Sequence, residues 1–235
     1  MRVTAISDIH GDLPQIEPTD LLLIAGDWSP LEIQTNYQYM KEWFGDVFMQ
    51  WMKDVPADKI IFIAGNHDFI CDPLYVYPYS FQVDILDPLL RKYKQTKKVK
   101  YLENSYSRYK GYKIYGCPYV EGCRGWAFCL ANLHKYYKNI PKCDILLTHQ
   151  PPLFNSVGAT IVENTPIELG SFDLLQAITK VNPSYHFFGH VHGGNHNPSK
   201  YNNSMLYNCA LKNEDYEIAF RPQIVYVPDK ENQTC

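Results

Sequence analysis

The chain has 235 residues, 46% of them hydrophobic, and a formal net charge of −3 at pH 7. That length supports one sizeable core without forcing a second domain, so a single domain over 1–235 is expected, with 228–235 as a polar tail. The mild acidity argues against a dedicated nucleic-acid binder, which is usually strongly basic, and no apolar stretch reaches the ~20 residues of a membrane span.

The first eight residues pass straight into a strand pattern and lack the layout of a secretory signal. Seven cysteines occur, an odd number without a Cys-x-x-Cys pair. Cys117, Cys123 and Cys129 are evenly spaced, but three thiols without a fourth ligand make a poor zinc site. Reduced, mostly buried thiols and a cytoplasmic location are therefore expected.

In chain order, apolar runs predict strands at 3–7 and 21–25. Helical spacing of Met40, Phe44, Val47, Phe48, Trp51, Met52 and Val55 predicts a helix over 36–55, ended by Pro56. A strand follows at 60–64. Asp87-Pro88 reads as an N-cap and first helical position. Strands are predicted at 99–102 and 112–116, a helix at 125–138 closed by Pro141, and a strand at 145–148. The long loop 151–170 holds Pro, Gly and Asn and is expected to act as a lid or substrate wall. Ser171 can cap a helix over 172–181, and strands are predicted at 185–188, 205–210 and 224–227. Strands and helices alternate through most of the chain, which predicts an α/β fold. Several strands lack an intervening helix, so mixed sheets are expected, in a two-sheet sandwich flanked by helices. Residues 91–113 carry nine Lys or Arg and one Glu. They read as a solvated helix end followed by strands rather than as a polyanion patch.

Five motifs carry the chemistry: Asp8-Ile9-His10, Gly26-Asp27, Gly65-Asn66-His67-Asp68, Thr148-His149 and Gly189-His190-Val191-His192. Singly, each has an ordinary explanation: Asp8 as a turn residue, Asp27 as a helix cap, Asn66 in a left-handed turn. Together, each follows a predicted strand, and open α/β sheets gather ligands at the carboxyl ends of their strands. Oxygen and imidazole donors without thiolate suit Mn, Fe, Zn, Co or Ni. Two such metals about 3.5–4 Å apart deprotonate a bridging water and clamp the oxygens of a phosphate ester. Asp27 stands alone in its motif and is the natural bridge. Asp8 and His10 are expected to alternate along an extended segment and so to point the same way, as are His190 and His192. Of the remaining histidines, His134 and His196 are expected at the surface and His186 in a strand.

Taken in order, these motifs resemble the calcineurin-like metallophosphoesterase superfamily, over residues 3 to about 210. Tyr101-Leu102-Glu103-Asn104, Gly111-Tyr112-Lys113-Ile114-Tyr115-Gly116, Thr148-His149-Gln150-Pro151-Pro152 and Phe187-Phe188-Gly189-His190 are similar to one branch. That branch is the class III phosphodiesterases, which include the brain-expressed metallophosphoesterase-domain proteins. The resemblance implies a four-layer α/β/β/α sandwich with two mixed sheets and a dinuclear metal site at the strand ends. It implies that Asp8, His10, Asp27 and His192 hold one metal and Asp27, Asn66, His149 and His190 the other. Manganese would be the metal and a small phosphodiester the substrate, attacked by a bridging hydroxide. His67 would assist the leaving oxygen, with Asp68 orienting it.

Rival readings remain. Asp8-Ile9-His10-Gly11 resembles the first motif of phosphoprotein phosphatases, but Asp27 is followed by Trp28-Ser29-Pro30 rather than Asp-Arg-Gly. Asp68 also stands where that group has Glu. A phosphomonoesterase or a catalytically silent scaffold, like a retromer subunit of the superfamily, are further alternatives; a scaffold would be expected to lose ligands. A nuclease is disfavoured by charge. Tyr119, Arg124, Trp126 and Asn155 are candidate pocket-wall residues.

Overall fold

The computed structural model describes residues 1–76, 98–162 and 165–230. The helix expected near Asp87 lies outside them. The strands are β1 (Arg2–Ile6), β2 (Thr19–Ala25), β3 (Ala57–Ile63), β4 (Val99–Tyr101), β5 (Ser105–Tyr109), β6 (Tyr112–Cys117), β7 (Ile145–Thr148), β8 (Ala159–Val162), β9 (Thr165–Glu168), β10 (Tyr185–Phe188), β11 (Ser199–Tyr201), β12 (Ser204–Asn208) and β13 (Gln223–Tyr226). One sheet has the order β13-β1-β2-β3-β4 and the other β11-β12-β10-β7-β6-β5. Both are mixed. β13 is antiparallel to β1, whereas β1, β2, β3 and β4 run parallel. In the second sheet β6, β7, β10 and β12 are parallel, and β5 and β11 are antiparallel edges.

Side-chain alternation along the strands builds the layers. Val3, Ala5, Leu21, Leu23, Ile61 and Ile63 face the second sheet and meet Ile114, Ile145, Leu147 and Phe187. Their neighbours Ile6, Leu22, Ile24, Ile60 and Phe62 point the other way, against Trp28, Met40, Phe44, Phe48 and Met52. On the far side of the second sheet, Tyr115, Cys117 and Leu146 pack on Leu174, Ala177, Ile178 and Val181. Those four come from α3 (Phe172–Val181), whose N-cap Ser171 accepts from Leu174 N as expected. The result is the four-layer α/β/β/α sandwich.

The helix expected over 36–55 is present but interrupted. Asn36 caps α1 (Tyr37–Trp43), a π-helical turn spans Phe44–Phe48, and α2 (Met49–Asp54) follows. Met49 N bonds Phe44 O, five residues back. The extra residue rotates the buried stripe: Phe48 and Met49 are fully buried, while Val47, one of the apolar residues whose spacing predicted the helix, is 44% exposed. Phe48 then stacks on the buried Trp28 at 4.7 Å.

The helix expected over 125–138 forms only at His134–Tyr137. Upstream, Phe128 sits at φ 52 and its N–H is taken by Asp72, while Val120 N and O bond Phe128 O and Leu130 N. These outside partners satisfy the backbone that a helix would have used. Three hairpins were not expected, β5–β6, β8–β9 and β11–β12. β5–β6 turns at Lys110-Gly111, both at positive φ, as a two-residue hairpin turn requires. β8–β9 lies within the loop read as a lid. The described part of the tail is pinned rather than free: Tyr112 Oη donates to Pro228 O, and Lys230 pairs with Asp144 at 2.5 Å. His134 is exposed as expected, whereas His196 stacks on Phe220 at 3.5 Å. The six described cysteines are free thiols. Among the described residues, no helix is long and apolar enough to cross a membrane.

His186 gives the core a pH dependence. Thr148 Oγ1 donates to Gln150 O and so accepts from His186 Nε2, while buried Nδ1 has no partner. Burial pushes the imidazole down to about 3. The unfolded chain therefore takes up a proton that the folded one refuses. Stability should be fully present above about pH 6.5 and fall by about 1.4 kcal/mol per unit below it, through one group. Denaturant titrations at pH 7 and 5 should show a smaller stability loss in His186→Gln than in wild type. Equal losses would mean that this histidine does not set the slope.

Candidate metal centre

Each motif begins where a strand ends, and each strand delivers its residues to the same edge of the sandwich. β1 leads to Asp8 and His10, β2 to Asp27, and β3 to Asn66, His67 and Asp68; β7 leads to His149 and β10 to His190 and His192. The segments are not extended, contrary to the sequence reading. Asp8, His10, Asp27 and His190 have φ of 53°, 42°, 52° and 70°. The chain leaves β1, β2 and β10 by sharp left-handed turns, so it is turn geometry rather than strand alternation that aims these side chains. Loops 8–11 and 26–28 are zipped together by Asp8 N to Gly26 O, His10 N to Asp27 O and Gly11 N to Trp28 O, at 3.0–3.1 Å. Strained backbone held by such surroundings is characteristic of functional sites. Gly65 is required by close approach: a Cβ there would lie 2.6 Å from His149 Nε2 and collide with the Asp27 carboxylate.

Three sets of donor atoms each converge within 4.8 Å: Asp8, His10 and His192; Asp8, Asp27 and His149; and His10, Asp27 and His67. Asn66 Oδ1 lies 3.0 Å from His149 Nε2 and 2.8 Å from His190 Nδ1. The arrangement therefore unites all seven predicted ligands with His67. Backbone carbonyls fix the imidazoles. His149 Nδ1 donates to Ala25 O at 2.7 Å and His192 Nδ1 to Asn213 O at 2.8 Å, which turns each Nε2 toward a carboxylate. Asp27 Oδ2 is 3.2 Å from His149 Nε2 and Asp8 Oδ1 is 3.3 Å from His192 Nε2. Metal-binding histidines are commonly held in this way.

The donor set fits divalent cations. His10 is buried with neither ring nitrogen hydrogen-bonded, which is costly without a partner. Burial raises and the His192 hydrogen bond and neighbouring charges lower the Asp8 carboxyl, which ends near 2. Burial likewise opposes ionisation of Asp27, but His149 and His67 hold it well below the usual range. Burial drops His10 to about 4, and burial together with the His149 charge drops His190 to about 4, leaving both as neutral donors. Burial disfavours charge on His149 and His192, yet the Asp27 and Asp8 carboxylates outweigh it and lift each to about 9. A cation arriving between such pairs displaces a proton from imidazole.

Asp68 does not orient His67. Its carboxylate accepts from the backbone N–H of Asp27, Trp28, Ser29 and Gly65 and from Ser29 Oγ, at 2.7–3.1 Å. It staples the β2 and β3 loops, and His67 Nδ1 instead faces Gln34 Oε1 at 2.6 Å. Burial and the nearby Asp27 charge raise the Asp68 carboxyl to about 7, against those hydrogen bonds. Asp68→Ala should orphan four buried N–H groups at about 1–3 kcal/mol each before relaxation. Calorimetry should show a melting temperature about 10 °C lower or more, with weaker metal retention because Asp27 loses its support. A melting temperature within a degree or two of wild type would contradict the staple.

Of the suggested wall residues, Trp126 lies at the site, its ring 4.4 Å from that of His67. Tyr119 packs on Tyr136 at 4.3 Å and lines, together with Trp126 and Phe69, a cavity of about 480 Å³. Among the described residues, no hydrogen bond or ring contact ties Arg124 or Asn155 to the histidines. The sequence reading missed Gln34, Asn213 and Tyr216. Tyr216 packs edge-on against His10 at 5.0 Å and His192 at 5.3 Å. The only sequence signal there was a polar turn, Asn213-Glu214-Asp215, standing well after the last motif.

A sandwich of two mixed sheets with this donor set at its strand ends is the architecture of a metal-dependent phosphoesterase. The family model for calcineurin-like phosphoesterase matches residues 1–194, and the chain belongs to that family. Its relatives include metallophosphoesterase domain-containing protein 1 of Homo sapiens, 29% identical over 215 residues, covering 82% of this chain and 61% of that protein. A UPF0046 protein of Caenorhabditis elegans, C25E10.12, is 29% identical over 244 residues, covering 97% and 81%. The chain spans about three-fifths of the length of the human and mouse relatives. Among solved structures, phosphopantetheinyl hydrolase from Mycobacterium tuberculosis matches with a TM-score of 0.55 at 15% identity, covering 91% of this chain and 90% of that one. TT1561 of Thermus thermophilus matches with a TM-score of 0.55 at 16% identity, covering 88% of each. Those two likenesses concern the fold alone. Family membership and the His/Asp donor sets support metal-dependent phosphoester hydrolysis.

Proposed function

We propose that the chain hydrolyses phosphodiesters with two divalent transition metals, manganese foremost. One observation carries the reading: the buried Asp8, Asp27, His10, His149 and His192 converge in three overlapping donor sets, two of which contain Asp27 and two Asp8. Asp8, His10, Asp27 and His192 are assigned to one metal, and Asp27, Asn66, His149 and His190 to the other. When bound, two such metals supply an ionised water nucleophile and neutralise charge on the phosphoryl oxygens.

The chain's own residues do the rest. Asp8 and Asp27 bring negative charge into a dry site, while the carbonyls of Ala25 and Asn213 hold His149 and His192 with Nε2 inward. Asp68 fixes the turn that presents Asp27. His67 N donates to Asp27 Oδ1 at 2.8 Å, which anchors His67 beside the shared carboxylate. Its Nε2 lies 3.9 Å from Asp27 Oδ2 and faces the centre, where it can give a proton to a departing oxygen. The substrate is read as a small phosphoester, and neither nucleic acid nor a membrane is assigned a role.

The test is a manganese-supplemented panel of diesters, monoesters, cyclic nucleotides and phosphopeptides. Diesters should be turned over with the highest kcat/KM. A preference for phosphopeptides or monoesters would move the assignment to the phosphatase readings.

A further inference from the structure

Two large aromatic rings stand at the mouth of this buried, polar centre. Trp126 is 41% exposed and Tyr216 is 39% exposed. They lie on the same histidine: His67 is 4.4 Å from the Trp126 ring at an interplanar angle of 48°, and 6.4 Å from the Tyr216 ring at 72°. Tyr216 also covers His10 and His192, both nearly at right angles to it. Each ring packs against a histidine of the site and stays more than a third exposed.

Neither is placed by chance packing. Tyr216 has φ 60°, a strained conformation for an aromatic residue. The turn that holds it is built on Asn213, whose Oδ1 accepts from Asp215 N and Glu217 N and whose carbonyl accepts from Tyr216 N. That same carbonyl accepts from His192 Nδ1 at 2.8 Å. One turn therefore sets both a metal-facing imidazole and the exposed ring. Glu214 ties the turn down by accepting from Gly193 N at 2.9 Å and from Thr160 Oγ1. Trp126 is set by its own loop, with Trp126 N donating to Cys123 O and the ring resting against Phe69 at 5.8 Å. The turn carrying Tyr216 lies beyond residues 1–194, the part matched by the family model.

We propose that Trp126 and Tyr216 are specificity-determining residues that clamp the organic group of the phosphoester, favouring esters with a planar aromatic group over saturated ones of equal size. The proposal rests on the phosphoesterase reading for its ligand class. The physical reason is that an exposed π-face gains from stacking on another flat ring and gains less from a puckered aliphatic one. A ring seated on either face stays next to His67, where the ester bond must lie for that residue to assist.

The probes are benzylphosphonate and cyclohexylmethylphosphonate, equal in charge and close in size but differing in planarity. Binding to the manganese-loaded protein is read by calorimetry, with hydrolysis of an activated diester measured in parallel. Wild type should bind the benzyl compound about tenfold more tightly, the lower end of what aromatic stacking provides. Tyr216→Ala and Trp126→Ala should each bring the ratio toward one, while affinity for methylphosphonate stays within about threefold, because the metal donors are untouched. Tyr216→Phe should keep the ratio, which separates ring stacking from a role for the hydroxyl. A wild-type ratio near one, or an unchanged ratio in both alanine variants, would overturn the clamp even with hydrolysis intact. A benzyl preference lost in the variants, in a protein with no ester hydrolysis, would support the clamp and remove the enzymatic reading instead.

Discussion

Asp27→Asn is expected to lower phosphoester hydrolysis at least about 10³-fold, the scale on which a preorganised charge acts at a reacting centre. Asp27 belongs to two of the three convergent donor sets, and its carboxylate is buried among His149, His67 and His10. An amide keeps the shape but removes the charge that balances two cations and offers one donor oxygen where two are needed. Both metals should be lost together in elemental analysis. His149→Ala, which touches one set, should lower the metal content by about one equivalent. Chelation of wild type should also abolish activity, and manganese should restore it. A ligand that binds only the folded chain raises stability by about 2.7 kcal/mol at a hundredfold excess over Kd. Manganese should therefore raise the melting temperature of wild type and leave that of Asp27→Asn nearly unchanged. Activity that persists in chelator, or full metal content in Asp27→Asn, would sink the dinuclear assignment.

The donor residues were legible in the sequence because chemistry restricts them to a few types and because each follows a strand whose apolar run is plain. The sandwich followed from the same strands, since Leu21, Leu22, Leu23 and Ile24 are apolar at consecutive positions and so must bury both faces. Backbone geometry at the site was not legible. Nothing in Asp-Ile-His says that Asp8 and His10 sit at positive φ; that depends on the bonds tying loop 8–11 to loop 26–28. The role of Asp68 was misread for a related reason. Adjacency to His67 suggested a pair, but the backbone turns Asp68 toward the N–H groups of Asp27, Trp28 and Ser29 about forty residues away in sequence. Gln34, Asn213 and Tyr216 reach the centre from loops whose approach no local pattern encodes. The π-helical turn at Phe44–Phe48 was hidden because the apolar spacing on either side suits an uninterrupted helix. Residues 125–138 show the converse, where helical spacing lost to the hydrogen bonds offered by Asp72 and Val120.

His67→Ala is expected to keep its metals and to lose rate unevenly across substrates. The backbone N–H of His67 still anchors to Asp27 Oδ1 in the variant, so the shared carboxylate keeps its position. What disappears is an imidazole whose Nδ1 is held by Gln34 and whose Nε2 faces the centre, 3.9 Å from Asp27 Oδ2. If that nitrogen protonates the departing oxygen, its removal costs most where the leaving alkoxide is most basic. General acid assistance provides on the order of 10²–10⁴ in rate and matters least for a leaving group that is already a stable anion. An alkyl diester should therefore slow by about that factor, whereas an aryl diester with a nitro substituent should slow by about tenfold or less. Gln34→Ala should show a weaker form of the same pattern, because it frees the ring to rotate without removing it. Asp68→Asn should not follow the pattern; its effect should fall equally on both esters, through the turn that carries Asp27. Equal losses on both esters in His67→Ala, with metal intact, would assign His67 to charge stabilisation on the phosphoryl group rather than to proton transfer. Loss of metal in His67→Ala would instead make it a ligand, as its convergence with His10 and Asp27 allows.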